Sequence, residues 1–236
     1  MILDGWKVTY VNMRNNLKKN YAKIDYNNVL DAYRHGLFPM SEDSNSSDIF
    51  WVKPKIRGVI DPYKVTIRKK LKRLLNKHSY FLKINTDFIG VIEGCAKPSK
   101  NRKNTWINPS IIDVYIELHY KGYAHSIECY SNNELVGGLY GVAIGGVFFG
   151  ESMFSKLQDA SKIALLHLID RLKVGNFSVL DTQFITEHLK TFGAYEIDQD
   201  KFLVILKKAL LVEANFFNMG PSGDLNIGLY PKSNNY

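Results

Sequence analysis

Residues 124–150 constrain the fold more than any other segment, because they predict three consecutive antiparallel strands. In this segment apolar stretches are separated by the pairs Asn132-Asn133 and Gly145-Gly146. Two-residue turns of this composition join antiparallel strands, since asparagine and glycine accept the backbone conformations that such turns require. The predicted strands are 124–130, 134–144 and 147–150.

Helical patterns lie on both sides of this meander. Pro109 and Gly122 bracket one predicted helix, and a densely apolar helix at 158–173 leads into a strand at 177–180. Hairpins followed by a strand-helix-strand unit predict an α+β fold with a mixed, mainly antiparallel sheet. Further helices are predicted at 26–35, 66–77, 88–95, 185–192 and 200–210, and a further strand at 80–84.

The length and composition suit a protein with a substantial core. The chain has 236 residues, of which 45% are hydrophobic and 23% charged. The pattern divides it into a small N-terminal domain, 1–57, and a larger domain, 58–236, that ends in an irregular tail.

No stretch approaches the roughly 18 apolar residues of a membrane span, and the N-terminus has no signal-like apolar region. The two cysteines, Cys95 and Cys129, have no neighbours that would complete a zinc site. We therefore expect a cytoplasmic protein with no membrane association and with buried, unpaired cysteines.

The net charge of +8 is concentrated in one segment. Residues 61–103 contain twelve Lys and Arg against three Asp and Glu, so they carry +9 and the rest of the chain sums to −1. Such a concentration is typical of a surface that binds a polyanion such as RNA. A solvated lysine face explains the same charge equally well.

Two groups of residues indicate chemistry. Glu151 lies between Phe148-Phe149 and Met153-Phe154, and a buried carboxylate there needs a partner. The partner is either an internal lysine such as Lys162 or a cation on a substrate. Asp181 and Gln183 stand two apart after an apolar strand, a spacing that suits a relay in which the carboxylate orients the amide.

Two familiar motifs are excluded. Ser152, His125 and Asp181 do not form a hydrolase triad, because Ser152 lacks the flanking glycines of a nucleophile elbow. His125 alternates with apolar residues and is interpreted as a hydrogen-bonded structural histidine. The glycines at 137, 138 and 141 precede no Gly-Lys-Ser/Thr, so they predict close backbone approach within a strand and not a phosphate loop.

Many separate motifs in one order resemble the leucyl/phenylalanyl-tRNA–protein transferases. The resemblance extends over residues 29–206. It rests on Ala32-Tyr33-Arg34-His35-Gly36-Leu37-Phe38-Pro39, Trp51 with Pro54 and Arg57, Val91-Ile92-Glu93-Gly94-Cys95-Ala96, Asn104-Thr105-Trp106-Ile107, Ala124-His125-Ser126-Ile127-Glu128, the segments 135–141 and 150–155, and Asp181-Thr182-Gln183.

The resemblance implies an aminoacyltransferase that moves Leu, Phe or less often Met from tRNA to proteins with N-terminal Arg or Lys, marking them for N-degron degradation. It also implies a C-terminal domain like those of the GNAT acetyltransferases. Because the donor ester is already activated, no metal or cofactor is expected. A related transferase with altered donor preference and a GNAT-type N-acetyltransferase remain alternatives.

Roles for individual residues follow from the same resemblance. Asp181 acts on the attacking amine through Gln183 or removes its proton directly, and Glu151 binds the acceptor side chain. The chain departs from the family pattern at Met40, which bears on adenosine stacking, and at Leu139 and Leu168, which allows a shifted donor preference. The implied donor pocket contains Leu139, Met153 and Leu168; the tRNA 3′-adenosine site contains Tyr33, Met40 and Trp106; and the tRNA phosphates meet Arg68, Lys69, Lys72 and Arg73.

Overall fold

A computed structural model describes residues 8–11, 24–65, 80–98 and 104–220. The strands are β1 (Val8–Val11), β2 (Phe38–Ser41), β3 (Ile49–Pro54), β4 (Ile56–Ile60), β5 (Phe81–Ile84), β6 (Ala124–Ser131), β7 (Glu134–Ile144), β8 (Val147–Ser155), β9 (Val179–Gln183) and β10 (Tyr195–Asp198). The helices are α1 (Tyr26–Arg34), α2 (Phe88–Ala96), α3 (Pro109–Tyr120), α4 (Ala160–Val174), α5 (Glu187–Lys190) and α6 (Gln199–Ala209).

A seven-stranded sheet in the order β10-β4-β9-β8-β7-β6-β5 positions the functional residues. Only β8 and β9 are parallel, and α4 lies between them in the chain; the other neighbours in this sheet are antiparallel. A second sheet, β1-β3-β2, belongs to the small N-terminal part. The predicted α+β fold with a mixed, mainly antiparallel sheet is therefore confirmed.

The predicted meander is present, with both turns where the sequence places them. Asn132 and Asn133 have φ of 51° and 65°, and Gly145 has φ of 54°. A Cβ on Gly138 would lie 2.7 Å from the Ile127 carbonyl oxygen. The prediction that glycines in β7 permit close backbone approach is thus confirmed.

Four features of the main sheet differ from expectation. The predicted strand at 177–180 is observed as β9, which begins at Val179 and continues through Gln183. β8 continues past Gly150 to Ser155, because the irregularity at Gly150 is a bulge and does not end the strand. β4 and β10 were not predicted: each has only four or five residues, and most of β10 is exposed. β4 nevertheless joins β10 to β9, so Arg57 enters the centre of the fold.

The two faces of the sheet bury separate cores. Phe148 and Leu168 belong to the core beneath α4, whereas Phe149 and Tyr115 belong to the core beneath α1, α2 and α3. Cys95 and Cys129 are buried, as predicted, and neither takes part in a disulfide. None of the described helices is long and apolar enough to cross a membrane.

Candidate active site

Glu151 occupies a bulge in β8, where one strand has an extra residue. Gly150 pairs with Gly141, but the next pair along joins Ser152 to Tyr140, so Glu151 has no partner in β7. A bulge re-aims a side chain relative to the regular alternation of a strand. The Glu151 carboxylate thereby meets side chains from α1 and α3.

Two buried tyrosines hold this carboxylate. Tyr33 of α1 donates to Oε1 at 2.5 Å, and Tyr115 of α3 donates to Oε2 at 2.8 Å. The two hydroxyl oxygens are 2.5 Å apart, and both tyrosines are fully buried. Lys162, the example of an internal partner considered from the sequence, pairs instead with Asp159.

Burial raises the pKa of the Glu151 carboxyl to about 7. Hydrogen bonds from Tyr33 and Tyr115 favour the charged form and limit the rise, whereas the charge on Asp181 adds to it. Burial, followed by the charge on Glu151, raises the pKa of both tyrosines well above the usual value of 10. Glu151 therefore titrates near neutral pH, while the tyrosines remain hydrogen-bond donors.

This pKa shift makes stability depend on pH. Between about pH 4.5, where the unfolded carboxyl titrates, and pH 7, the folded state holds the proton more tightly, so stability falls as pH rises. We expect Glu151→Gln to remove this fall, so that the variant gains stability relative to wild type between about pH 5 and pH 8. Urea midpoints across this range measure the effect.

The matched control is Glu187→Gln, at a glutamate with an 89% exposed side chain. Its stability should follow the wild-type pH dependence. Identical pH slopes for wild type and Glu151→Gln would contradict the raised pKa.

Asp181 lies in β9, fully buried, and Arg57 of β4 holds both of its oxygens. Arg57 Nε donates to Oδ1 at 2.8 Å and Nη2 donates to Oδ2 at 2.5 Å. Oδ1 also accepts the backbone N–H of Gln183 at 2.9 Å. Asp181 thus contacts Gln183 through the main chain, and not through its side-chain amide as a side-chain relay requires.

Gln183 brings the two predicted groups together. Its φ of +53° is left-handed, and its Nε2 lies 3.5 Å from Glu151 Oε1. The pairing of β4 with β9 is irregular at this residue. Gly58 pairs with Gln183, and the register shifts between Gly58 and Val59. Glu151, Gln183 and Asp181 therefore form one connected cluster.

An apolar cavity of about 340 Å³ adjoins this cluster. The three predicted pocket residues, Leu139, Met153 and Leu168, all line it, and so do Glu151 and Gln183. The remaining apolar wall includes Leu165, Leu180, Phe184 and Leu189. A mainly apolar cavity with a few polar groups is the usual form of a small-ligand site.

The residues predicted to bind adenosine occupy different environments. Tyr33 is 0% exposed and bonded to Glu151, so it presents no open ring face for a base. Met40 is 8% exposed on β2, and Trp106 is half-buried against the same core. Stacking on adenosine therefore remains a prediction for Met40 and Trp106 only. The predicted phosphate contacts, Arg68, Lys69, Lys72 and Arg73, lie outside the described residues.

His125 is structural, as predicted. Its Nδ1 lies 3.0 Å from Asn85 Nδ2, and its ring stacks on Phe216 with centroids 4.2 Å apart. Burial lowers its pKa to about 3, so the imidazole is neutral.

Within residues 24–65, 80–98 and 104–220, no group of three or more His, Cys, Asp or Glu side chains could hold a metal ion.

Two members of the site were missed as functional residues. Neither Tyr115 nor Arg57 had a predicted role in the site. Arg57 stands within the sequence Ile56-Arg57-Gly58-Val59-Ile60, and a charge inside so apolar a run is a signal for a buried counter-charge. Nothing in the sequence identifies Asp181 as that counter-charge.

The fold and site define an α+β protein in which a carboxylate and an amide border an apolar cavity. A sequence model of leucyl/phenylalanyl-tRNA protein transferases matches residues 59–207, and a model of the N-terminal domain of these transferases matches residues 23–55. The chain belongs to the leucyl/phenylalanyl-tRNA–protein transferase family.

Curated relatives carry the same family name. The transferase of Zymomonas mobilis subsp. mobilis is 46% identical over 203 residues, which cover 86% of this chain and 75% of the relative. That of Maricaulis maris is 48% identical over 188 residues, 80% of this chain and 87% of the relative. A solved structure, L-PGS from Bacillus licheniformis, has a TM-score of 0.38 and 13% identity over 70% of this chain and 55% of that chain.

Proposed function

We propose that the protein transfers leucine or phenylalanine from aminoacyl-tRNA to the α-amine of proteins that begin with Arg or Lys. In this reaction the amine attacks the ester carbonyl of the donor, an amide bond forms, and the tRNA leaves with a free 3′-hydroxyl. The product carries a new N-terminal residue that marks it for N-degron degradation. The observation that carries the proposal is the apolar cavity beside Glu151 and Gln183.

The cavity suits the donor side chain. Leu139, Met153 and Leu168 provide an apolar wall that accepts a leucyl or phenylalanyl group and offers no partner to a charged one. An aspartyl or glutamyl side chain against this wall would lose hydration and would also share the cavity with the Glu151 carboxylate. The donor ester would then lie near Gln183, the polar residue at the end of β9.

Gln183 suits the role of hydrogen-bond acceptor for the attacking amine. An α-amine has a pKa of about 7.7 to 8.0, so on the order of a tenth is neutral at pH 7 and needs only mild assistance. The Gln183 amide nitrogen faces Glu151, which leaves the carbonyl oxygen of the same amide for the amine. Because Asp181 is held by Arg57, the geometry favours its indirect role over direct proton removal.

Glu151 suits the acceptor side chain. A carboxylate has about four acceptor positions, so it can bind a guanidinium or ammonium while keeping the bonds from Tyr33 and Tyr115. A bound cation favours the charged form and would lower the pKa of this carboxyl.

A transfer assay tests the proposal. Purified protein is mixed with Leu-tRNA or Phe-tRNA and a peptide beginning with Arg or Lys, and extended peptide is counted by mass spectrometry. Asp-tRNA and a peptide beginning with Glu are the matched controls, and both should give no product. Product no higher than in a reaction without enzyme would overturn the proposal.

Filling the cavity should change donor choice. We expect Leu168→Trp to lower kcat/KM for Phe-tRNA more than for Leu-tRNA, by about 10-fold or more, because the new ring takes space that the larger donor needs. Competition between the two charged tRNAs measures the ratio.

Leu168→Met, which conserves volume, is the matched control and should leave the ratio nearly unchanged. An unchanged ratio in Leu168→Trp would show that Leu168 does not face the donor side chain.

A further inference from the structure

Arg57 is a buried charged side chain beside the site, although it does not line the cavity. It is 0% exposed and binds Asp181 through Nε and Nη2. Its Nη1 donates to the Gly36 carbonyl at 3.0 Å. Its guanidinium lies 4.9 Å from the ring centre of Phe38 and 4.5 Å from that of Phe202. Four parts of the chain therefore converge on one side chain.

Stability alone does not account for this arrangement. A buried ion pair is often no more stabilising than apolar groups of the same volume. The pair does, however, fix the position of Asp181 Oδ1, which also accepts the Gln183 backbone N–H at 2.9 Å. That bond holds Gln183 at a φ of +53°, a conformation that residues other than glycine disfavour.

The remaining guanidinium nitrogen of Arg57, Nη1, connects to the segment after α1. Gly36 lies two residues after the end of α1, the helix that carries Tyr33, and Tyr33 holds Glu151. One guanidinium thus links β9, which carries Gln183, to the end of α1. The Gly36 carbonyl also accepts from Gln199 Nε2 at 3.3 Å, so this end of α1 keeps a partner when Arg57 is changed. The rigid, planar fork of arginine suits this task better than the single ammonium of lysine.

We propose that Arg57 is a positioning residue for the transfer reaction, acting through Asp181 to hold the Gln183 amide in its reactive orientation. This role rests on the proposed function. Arg57 touches neither donor nor acceptor. Its loss should therefore lower kcat while the acceptor KM and the tRNA Kd change little.

A double-mutant cycle tests this role. Arg57→Lys keeps the charge but loses the bidentate geometry, and we expect kcat to fall on the order of 10²-fold, as for a small misplacement of a reacting group. If Arg57 acts through Gln183, the double variant Arg57→Lys with Gln183→Leu should have the same kcat as Gln183→Leu alone. A purely structural role would instead multiply the two losses.

Arg171→Lys is the matched control, because Arg171 is also 0% exposed and binds only the Phe216 carbonyl and ring among the described contacts. It should leave kcat unchanged. If Arg57→Lys does not fold, Arg57→Met with Asp181→Leu replaces the ion pair by apolar groups and enters the same cycle. If wild type is active and the two losses in kcat multiply, the positioning role is overturned and the proposed function stands. If wild type itself is inactive, the proposed function is overturned and the positioning role with it.

Discussion

Replacing Gln183 with leucine should lower the single-turnover rate of transfer by about 10²-fold, the scale of loss when a reacting group is no longer held in position. Leucine has a similar size, so the cavity wall that Gln183 helps to form should persist. What is lost is the carbonyl oxygen that accepts a hydrogen bond from the attacking amine. Quenched-flow measurement with saturating Phe-tRNA gives the rate directly.

The control is Gln158→Leu, the same change at an exposed glutamine outside the cavity, which should transfer at the wild-type rate. Binding of Phe-tRNA should be the same in all three proteins, because Gln183 acts on the amine. A single-turnover rate for Gln183→Leu within a few-fold of the wild-type rate would show that Gln183 takes no part in the reaction.

Replacing Glu151 with glutamine should lower kcat/KM for peptides beginning with Arg or Lys by about 10- to 100-fold, the value of a hydrogen bond to a charged group. The variant should keep its affinity for Phe-tRNA. The wild-type kcat/KM for these peptides should also rise as pH increases through about 7, where the Glu151 carboxyl ionises. The increase due to the α-amine itself should remain in the variant.

A peptide beginning with citrulline separates the two effects, because citrulline matches arginine in shape but has no charge. Wild type should use it poorly compared with the arginine peptide, whereas Glu151→Gln should treat the two alike. Preserved discrimination in the variant would place the acceptor cation elsewhere.

Local features of the fold were predictable from the sequence. The β6–β7–β8 meander follows from Asn132-Asn133 and Gly145-Gly146, which act within a few residues of the strands they join. β4 and β10 were missed because they are short, and their pairing is fixed by distant parts of the chain. The β8 bulge was mistaken for a strand end because glycine is common at both.

The candidate site was predictable from the sequence only in part, because Tyr115 and Arg57 were missed. Glu151, Gln183 and Asp181 were identified, yet the partners of Glu151 lie 118 and 36 residues away in the chain, and Arg57 lies 124 residues from Asp181. Such contacts depend on how helices pack against the sheet. Local spacing therefore suggested a side-chain relay where the structure has a main-chain hydrogen bond.

The most direct test of the account follows the donor ester and the acceptor peptide in one rapid-mixing experiment. Wild-type protein, Phe-tRNA and a peptide beginning with Arg should lose ester and gain phenylalanyl peptide at the same rate. The N-acetylated form of that peptide should give no extended product. Loss of ester that yields free phenylalanine and unextended peptide, or no loss of ester at all, would contradict aminoacyl transfer at this site.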